Sequence, residues 1–509
     1  MILTRPKMSY QQEKTKTFEI GSKTKYIRLL NCTTTSAVIR ELTTCFPART
    51  GWYWKFTDEE DQLKRSTCQY LFVTGIALMA CACFATTPNL RVGIVSDTQS
   101  YPGRKTDWGQ KNLCGALRYL KNKKIDVLIY AGDIANNGHA TVYREYHEIM
   151  DEVFGKEKPE TVVIMGNHDF WKDGNMNTPG PEAIATFKAG MKLDSIHTHK
   201  VVKGYDFIGL SAENSYQSGW NKLYGAPARK FLKEKISAAL KRAPERPVFV
   251  VTHEPAAGTV YGSSYGGHPS LAACLTPYPG VVHFAGHSHF SLEDERSIHQ
   301  RDFTAVGTSS LNYCDLEEGR ENGPRAPYAR ECVEFLYMEV FDDRLDLHRL
   351  NLLHGCREIK PGKLWSVPLP LSKETFFYTE KRADSRKAPV FPEGAKIEAV
   401  PDRIPFTGIR LKFDAATHDD FVHTYIVDLQ EYRPDGSWGE ASRLLYFSDF
   451  ARGLDRITSQ PVLTIKARHF KGNSEYRITV SAMESFGKIG NSISTMIRTP
   501  ERAVIPGEK

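Results

Sequence analysis

The stretch Leu90-Arg91-Val92-Gly93-Ile94-Val95-Ser96-Asp97-Thr98-Gln99 decides the fold, because an apolar run typical of a buried strand ends directly in polar side chains. Four later apolar runs end the same way: Ile125–Ala131 before Gly132-Asp133, Thr161–Met165 before Gly166-Asn167-His168-Asp169, Pro247–Val251 before Thr252-His253, and Val281–Ala285 before Gly286-His287-Ser288-His289. In open α/β sheets the active crevice lies at the carboxyl ends of the strands. We therefore expect these carboxylate, amide and imidazole groups to line one metal-binding crevice.

The five motifs, in this order, resemble those of the calcineurin-like metallophosphoesterases, whose pattern is D-x-H, G-D, G-N-H-D/E, H and G-H-x-H. The resemblance covers about residues 90–355. It implies an α/β fold, a two-sheet metallophosphoesterase sandwich flanked by helices. It also implies a dinuclear centre of two divalent metal ions (Mn, Fe, Zn or Mg), which makes a bridging water acidic enough to attack phosphorus.

The resemblance assigns a role to each matching side chain. The implied ligands are Asp97, Gln99 and His289 for the first metal, Asn167, His253 and His287 for the second, and Asp133 as the bridge. His168 is not a ligand in this family and is expected near the leaving-group oxygen, as proton donor or charge stabiliser. His168 and Asp133 are thus the predicted catalytic residues.

Gln99 departs from the family pattern, which has a histidine at this position. A neutral amide oxygen is a harder ligand than an imidazole, so the first site would favour Mn, Mg or Fe(II), or bind its metal more weakly. Two alternatives stay open: a mononuclear enzyme, and a Gln99 that only hydrogen-bonds a ligand.

A second departure concerns the substrate. Phosphoprotein phosphatases of the family continue G-D-x-x-D-R-G, whereas this chain has Gly132-Asp133-Ile134-Ala135-Asn136-Asn137-Gly138. Without the arginine there is no bidentate clamp on phosphate, which argues against phosphoprotein substrates. The sequence is more like the branch that cleaves small-molecule phosphodiesters.

Isolated motif residues would have simpler explanations. Asp97 could cap a helix, and His253 alone would be a core histidine. His268 and His283 match no family position and are expected to pack or face solvent. In the Gly- and Ser-rich loop 260–268, either Tyr261 or Tyr265 is expected to contact the leaving group, the alternative being an ordinary mobile loop; Asn312-Tyr313 are weaker candidates of the same kind.

Composition indicates a globular protein of two or three domains, with 509 residues, 41% hydrophobic and 25% charged. The net charge is +7, of which residues 1–65 carry +5 (12 Lys and Arg against 7 Asp and Glu). The near-neutral remainder does not indicate nucleic acid as a partner. Ten cysteines include no C-x-x-C pair, and five follow residue 83, so disulfides are compatible with the sequence but not required.

Residues 63–85 have a basic start, a short apolar stretch and small residues before cysteine, which is typical of a bacterial secretion signal. Cys81 or Cys83 would carry a lipid, cleavage after Ala82 or Ala85 would release the protein, or the segment would remain as a membrane anchor. We expect export to the periplasm or cell envelope. Residues 1–62 are expected to be unstructured, with translation starting at Leu63; the alternative is a cytoplasmic extension before a signal anchor.

Three further regions follow: a phosphoesterase domain at 88–367, a Pro- and charge-rich linker at 368–390, and a smaller all-β domain at 391–502. Seven short strand-like runs in the last region predict an immunoglobulin-like sandwich. It resembles a fibronectin type III domain, in which Tyr476 would form the tyrosine corner. We expect a spacer, a partner surface or a wall beside the active site.

The preferred hypothesis is an exported metal-dependent phosphoesterase that hydrolyses a small-molecule phosphodiester or phosphomonoester. The rival is a surface binding protein on the same fold with weak or no catalysis. A nuclease is disfavoured by the near-neutral charge. The substrate, a membrane tether through the N-terminal segment or its lipid, and the oligomeric state stay open.

Overall fold

A computed structural model describes residues 87–172, 178–402 and 406–501. The predictions for 1–62 and 63–85, and for residue 502, lie outside these ranges. Within them, no helix has both the length and the apolar character needed to span a bilayer.

The described residues before 369 contain thirteen strands and six α-helices. The strands are β1 Leu90–Val95, β2 Val127–Tyr130, β3 Glu160–Val163, β4 Thr198–Val202, β5 Tyr205–Leu210, β6 Val248–Thr252, β7 Val281–Ala285, β8 Ile298–Gln300, β9 Thr304–Gly307, β10 Glu334–Val340, β11 Arg344–Asn351, β12 Arg357–Glu358 and β13 Trp365–Pro368. The helices are α1 Trp108–Asn122, α2 Ala140–Phe154, α3 Gly180–Met191, α4 Ala226–Arg242, α5 Ser263–Gly266 and α6 Pro269–Leu275.

These strands form two sheets that face each other, which we call the catalytic sandwich. One has the order β12-β11-β10-β1-β2-β3, with β13 also paired to β11, and the other has the order β4-β5-β6-β7-β9-β8. Ile94, Ile129, Phe207 and Phe284 belong to one fully buried cluster drawn from strands of both sheets. The predicted two-sheet α/β sandwich is confirmed.

The helices other than α5 pack on the sheets because each presents one apolar stripe. Leu113, Leu117 and Leu120 recur at helical spacing on α1 and are all buried. The Asp107 side chain caps this helix by accepting the Gln110 backbone N–H at 2.9 Å. In the sequence, apolar residues at helical spacing predict a helix over Trp108–Asn122, the observed bounds of α1, and another from Ala228, two residues after the observed start of α4.

Strand direction positions the site. β1, β2 and β3 are parallel, and so are β5, β6, β7 and β9. The carboxyl ends of parallel neighbours meet at one edge of their sheet, so the loops after β1, β2, β3, β6 and β7 converge.

The last seven strands form a second, all-β unit, which we call the C-terminal sandwich. They are β14 Ile397–Pro401, β15 Gly408–Phe413, β16 Thr424–Glu431, β17 Ser442–Phe447, β18 Val462–Lys466, β19 Glu475–Met483 and β20 Ile489–Arg498. The sheets have the orders β14-β15-β18 and β17-β16-β19-β20, with every pair antiparallel. The Tyr476 hydroxyl accepts the Lys471 backbone N–H at 2.8 Å, as expected of a tyrosine corner. All seven predicted strands are present, with ends shifted by up to three residues.

Candidate metal centre

The predicted ligands occupy unusual backbone conformations at the strand ends. Five of them have positive φ: Asp97 (53°), Gln99 (44°), Asp133 (53°), His287 (69°) and His289 (57°). Side-chain-bearing residues rarely adopt this region, and such strain concentrates at functional sites. The sharp turns aim the side chains back across the strand ends.

Two motif glycines let the ligand loops approach closely. A Cβ on Gly166 would lie 2.2 Å from Asp133 Oδ1, and one on Gly286 would lie 2.4 Å from Asp97 Oδ2. Any larger residue at either position would displace a carboxylate that the site needs.

One set of donor atoms surrounds Asn167. Its Oδ1 lies 3.0 Å from His253 Nε2 and 3.0 Å from His287 Nδ1, and His253 Nε2 lies 3.3 Å from Asp133 Oδ1. Ligands about 2.1 Å from a common ion are separated from one another by about 3.0–3.4 Å in octahedral or tetrahedral geometry. The spacing of this set therefore fits a divalent metal.

A second set surrounds His289. Its Nε2 lies 3.1 Å from Asp97 Oδ1 and 3.1 Å from the Gln99 side-chain nitrogen, which also donates to Asp133 Oδ2 at 3.3 Å. The nitrogen end of Gln99 faces the ligands here, and a half-turn of the amide would present its oxygen instead. Both alternatives for Gln99, metal ligand or hydrogen-bond donor, fit this position.

Asp133 joins the two sets, with Oδ1 in the Asn167 set and Oδ2 in the His289 set. Ligand atoms of Asp97, Asp133 and His253 all lie within 4.8 Å of one another, and all three residues are buried. The structure thus brings the seven predicted ligands together in the partition that the resemblance implies.

Hydrogen bonds orient the imidazoles. His253 Nδ1 donates to the Ala131 carbonyl at 2.8 Å, and His289 Nδ1 donates to the Tyr313 carbonyl at 3.2 Å. Each Nε2 therefore faces the neighbouring ligand atoms, where it can coordinate a cation or, when protonated, donate to a carboxylate. Burial opposes protonation, but Asp133 and Asp97 outweigh it and raise the pKa of His253, while Asp97 raises that of His289. The donor set therefore fits metal ions.

His168 lies beside these ligands. Its Nδ1 donates to Asn136 Oδ1 at 2.8 Å, which leaves Nε2 3.9 Å from Asp133 Oδ2 and turned towards the ligands. The ring packs on Trp171, with 3.6 Å between ring centroids. Burial lowers the pKa of His168. Asn136 and Trp171 thus fix the ring that the sequence predicts to assist the leaving group.

Asp169 has a structural role that the sequence reasoning did not assign. This buried carboxylate accepts the backbone N–H groups of Gly166 (2.9 Å) and Ala135 (3.0 Å) and the Tyr143 hydroxyl (2.9 Å). Burial, with the nearby Asp133, raises the pKa of Asp169 to about 7. Asp169 holds together the loops that carry Asp133 and Asn167. Its position at the end of the G-N-H-D motif is the sequence feature from which this role could have been predicted.

The sequence analysis also assigned no role to Tyr216 and Glu254, which lie beside the ligand His287. The Tyr216 hydroxyl donates to the fully buried Glu254 carboxylate at 2.8 Å and lies 3.3 Å from both ring nitrogens of His287. Glu254 directly follows His253, which could have identified it. Nothing in the sequence links Tyr216 to His287, because the loop that holds it belongs to no motif.

The loop 260–268 differs from expectation. Tyr261 packs against the C-terminal sandwich, with its hydroxyl bonded to Glu317 and to His423 Nε2, so its expected contact with a leaving group is wrong. Tyr265 is 68% exposed, and the neighbouring Gly266 lies against the His287 ring. The loop therefore borders the crevice through residues 265–266.

The other uncertain candidates have clear positions. His268 and His283 are buried and hydrogen-bonded to Trp220 and Thr252, as expected of packing residues. The Asn312 side chain donates to the Thr98 carbonyl at 2.8 Å, and the Tyr313 ring packs 4.6 Å from that of His289. Asn312 and Tyr313 thus support the ligand loops.

Comparisons with known proteins match parts of this chain. Residues 90–291 match the family model of the calcineurin-like phosphoesterases. UPF0046 protein K07C11.7 of Caenorhabditis elegans is 26% identical over 209 residues, which are 40% of this chain and 64% of that protein.

Two solved structures were also compared. The purple acid phosphatase PPD1 from yellow lupin (Lupinus luteus) is 12% identical, with a TM-score of 0.39 over 55% of this chain and 54% of its own. The third fibronectin III domain of human KIAA0343 protein is 14% identical, with a TM-score of 0.17 over 25% of this chain and 93% of its own. This chain thus spans less than two thirds of both the worm protein and the lupin phosphatase. The match to the family model of the calcineurin-like phosphoesterases covers residues 90–291, the part of the chain that carries all five motifs.

Proposed function

We propose that the protein is a metal-dependent phosphoesterase that hydrolyses a small-molecule phosphodiester or phosphomonoester. One observation carries the proposal: two donor sets share Asp133, each with the spacing of ligands around a single ion. Two divalent ions would supply an acidic water as nucleophile and neutralise the charge that develops on the phosphoryl group.

The chain's own residues would orient the reaction. Asp133 and the two donor sets would hold the ions, while His168 would present Nε2 to the oxygen of the departing alcohol. Asn136 holds the His168 ring, and no arginine occupies the position where phosphoprotein phosphatases carry their phosphate clamp. This supports a small ester rather than a phosphoprotein as substrate.

Hydrolysis of a chromogenic phosphodiester and the matching phosphomonoester by the full chain tests the proposal. Mn, Zn, Mg and Fe(II) would be compared, with His253→Ala as the inactive variant. His348→Ala is the matched control, because His348 lies on β11 and pairs with Glu358, not with any ligand. We expect metal-dependent turnover that only His253→Ala abolishes.

A binding protein without catalysis is the second candidate, and Gln99 is the observation that favours it. Under this alternative the folded chain would retain only trace metal and hydrolyse neither ester. Metal content measured beside the activity assay separates the two candidates.

We also propose that the protein is exported and that its C-terminal sandwich is a fibronectin type III-like domain, which serves as a spacer, a partner surface or a wall beside the active site. The signal-like pattern at residues 63–85 supports export, and the antiparallel strand orders with the Tyr476 hydrogen bond support the fibronectin-like fold. Cell fractionation with N-terminal sequencing tests export: recovery of an uncleaved chain in the cytoplasm would contradict it.

A further inference from the structure

Two cysteines lie together beneath the catalytic sandwich's contact with the C-terminal sandwich. Cys314 and Cys332 are both fully buried in the apolar cluster that includes Tyr261, Phe421 and Phe450. Their backbone N–H groups donate to the same carbonyl, that of Ala329, at 3.0 and 3.3 Å. Neither cysteine is in a disulfide in this structure, and the Cys314 thiol donates to the Asp315 carbonyl at 3.3 Å.

The segment between these cysteines connects the two sandwiches. Glu321 N–H donates to the Leu445 carbonyl at 2.8 Å, and the Asn322 side chain accepts the Phe447 N–H at 2.8 Å. Just before the first of these cysteines, the Tyr313 carbonyl accepts the hydrogen bond that orients the His289 ring. A covalent link between the cysteines would therefore fix a segment that runs from the metal ligands to the C-terminal sandwich.

We propose that Cys314 and Cys332 form a disulfide bond when the chain folds in an oxidising environment. With oxidised glutathione as the oxidant, one cysteine thiolate attacks its disulfide and releases one reduced glutathione. The second cysteine thiolate then attacks the mixed disulfide and releases another. Two electrons pass from the cysteines to glutathione, and the two thiol protons end on the released glutathione molecules.

The buried position sets the time at which the bond forms. Burial raises the pKa of the Cys332 thiol, so in the folded chain little thiolate is present to react. The bond would form during folding, while the segment is open, and would afterwards resist reduction because reductants cannot reach it.

Refolding the full chain in oxidised or in reduced glutathione tests the proposal. Each sample is unfolded with iodoacetamide, digested without reduction and analysed by mass spectrometry. We expect the oxidised sample to yield one peptide pair joined through Cys314 and Cys332, lighter by two hydrogens than the separate peptides. Alkylation of both cysteines in that sample, or glutathione left on either one, would overturn the proposal.

Thermal unfolding provides a second readout. The oxidised wild-type chain should unfold at a higher temperature than the reduced one, since the crosslink restricts the unfolded chain. Cys332→Ala should remove this difference, whereas Cys274→Ala, a buried cysteine on α6, should leave it unchanged. An equal difference in the Cys332→Ala variant would contradict the proposed link.

Discussion

The catalytic and C-terminal sandwiches differ in strand direction. Each packs two sheets around an apolar core, but only the catalytic sheets contain parallel strands. Parallel strands end at the same edge of their sheet, and the two sheets face each other, so Asp97 after β1 and His289 after β7 meet although most of the domain separates them. Successive antiparallel strands end at opposite edges. Among the described residues, the metal-type cluster of His, Cys, Asp or Glu is Asp97, Asp133 and His253, all in the catalytic sandwich. Topology, rather than composition, concentrates the chemistry.

Removing the Asp133 carboxylate, which both donor sets share, is the strongest test of whether the chemistry is confined to the catalytic sandwich. Asp133→Asn should lower kcat by roughly 10³-fold and reduce bound metal, because one side chain serves both donor sets. Enzyme assays and elemental analysis measure both effects. Asp428→Asn is the matched control, since Asp428 pairs with the exposed Arg443 on the C-terminal sandwich. An Asp133→Asn variant that keeps full activity would remove Asp133 from the centre.

A cavity made in the core of the C-terminal sandwich should lower stability without changing metal binding. Leu411 is fully buried on β15, so Leu411→Ala should cost about 3 kcal/mol in the unfolding free energy of the C-terminal sandwich. Denaturant titration measures the loss, and metal titration of the folded variant should match that of the wild type. A parallel loss of metal affinity would mean that the centre depends on the C-terminal core.

His168 should act on turnover alone. Because His168 hydrogen-bonds Asn136 and is not one of the predicted ligands, His168→Ala should lower kcat by roughly 10²-fold and keep the bound metal. Single-turnover kinetics and elemental analysis on the same preparation measure this. Loss of metal together with activity would make His168 part of the metal-binding structure.

The contact between the sandwiches should give acid sensitivity. Burial disfavours the Glu295 carboxylate, but Arg349 and Lys360 outweigh it and lower its pKa from 4.5 to about 2. The unfolded chain therefore takes up a proton before the folded chain does, and stability present above pH 4.5 is lost as the pH falls towards 2. We expect Glu295→Gln to remove roughly 2 kcal/mol of this pH dependence, after allowance for partial exposure.

Unfolding measured from pH 6 to pH 2 (roughly, the interval that spans both protonation steps) provides the comparison. Glu234→Gln on α4 is the control, because Glu234 is exposed and forms only a 3.8 Å pair with Lys230. If Glu295→Gln loses as much unfolding free energy as the wild type when the pH falls, the interaction of Glu295 with Arg349 and Lys360 does not set the acid response.

The sequence predicted features that depend on local pattern. Apolar runs ending in polar motifs identified β1 and β7 with their observed bounds, and the motifs named the residues that the structure brings together. Helical spacing likewise defined α1. These signals are local because a buried strand or an amphipathic helix must repeat its apolar residues at its own period.

Features that depend on packing between distant segments were not predicted. Tyr261 was expected at the crevice because its loop follows His253, yet it bonds His423 of the C-terminal sandwich, 162 residues away. Tyr216 reaches His287 because the loops after β5 and β7, parallel strands of one sheet with β6 between them, meet at the same edge. No periodicity or motif encodes such contacts, since they arise from how complete elements pack.

A crystal structure of the full chain grown with Mn²⁺, with anomalous scattering recorded, tests the central claim most directly. The account predicts two manganese peaks about 3.5–4 Å apart, one in the Asn167 set and one in the His289 set, with Asp133 between them. A single peak in the Asn167 set, with Gln99 still donating to Asp133, would contradict the dinuclear centre.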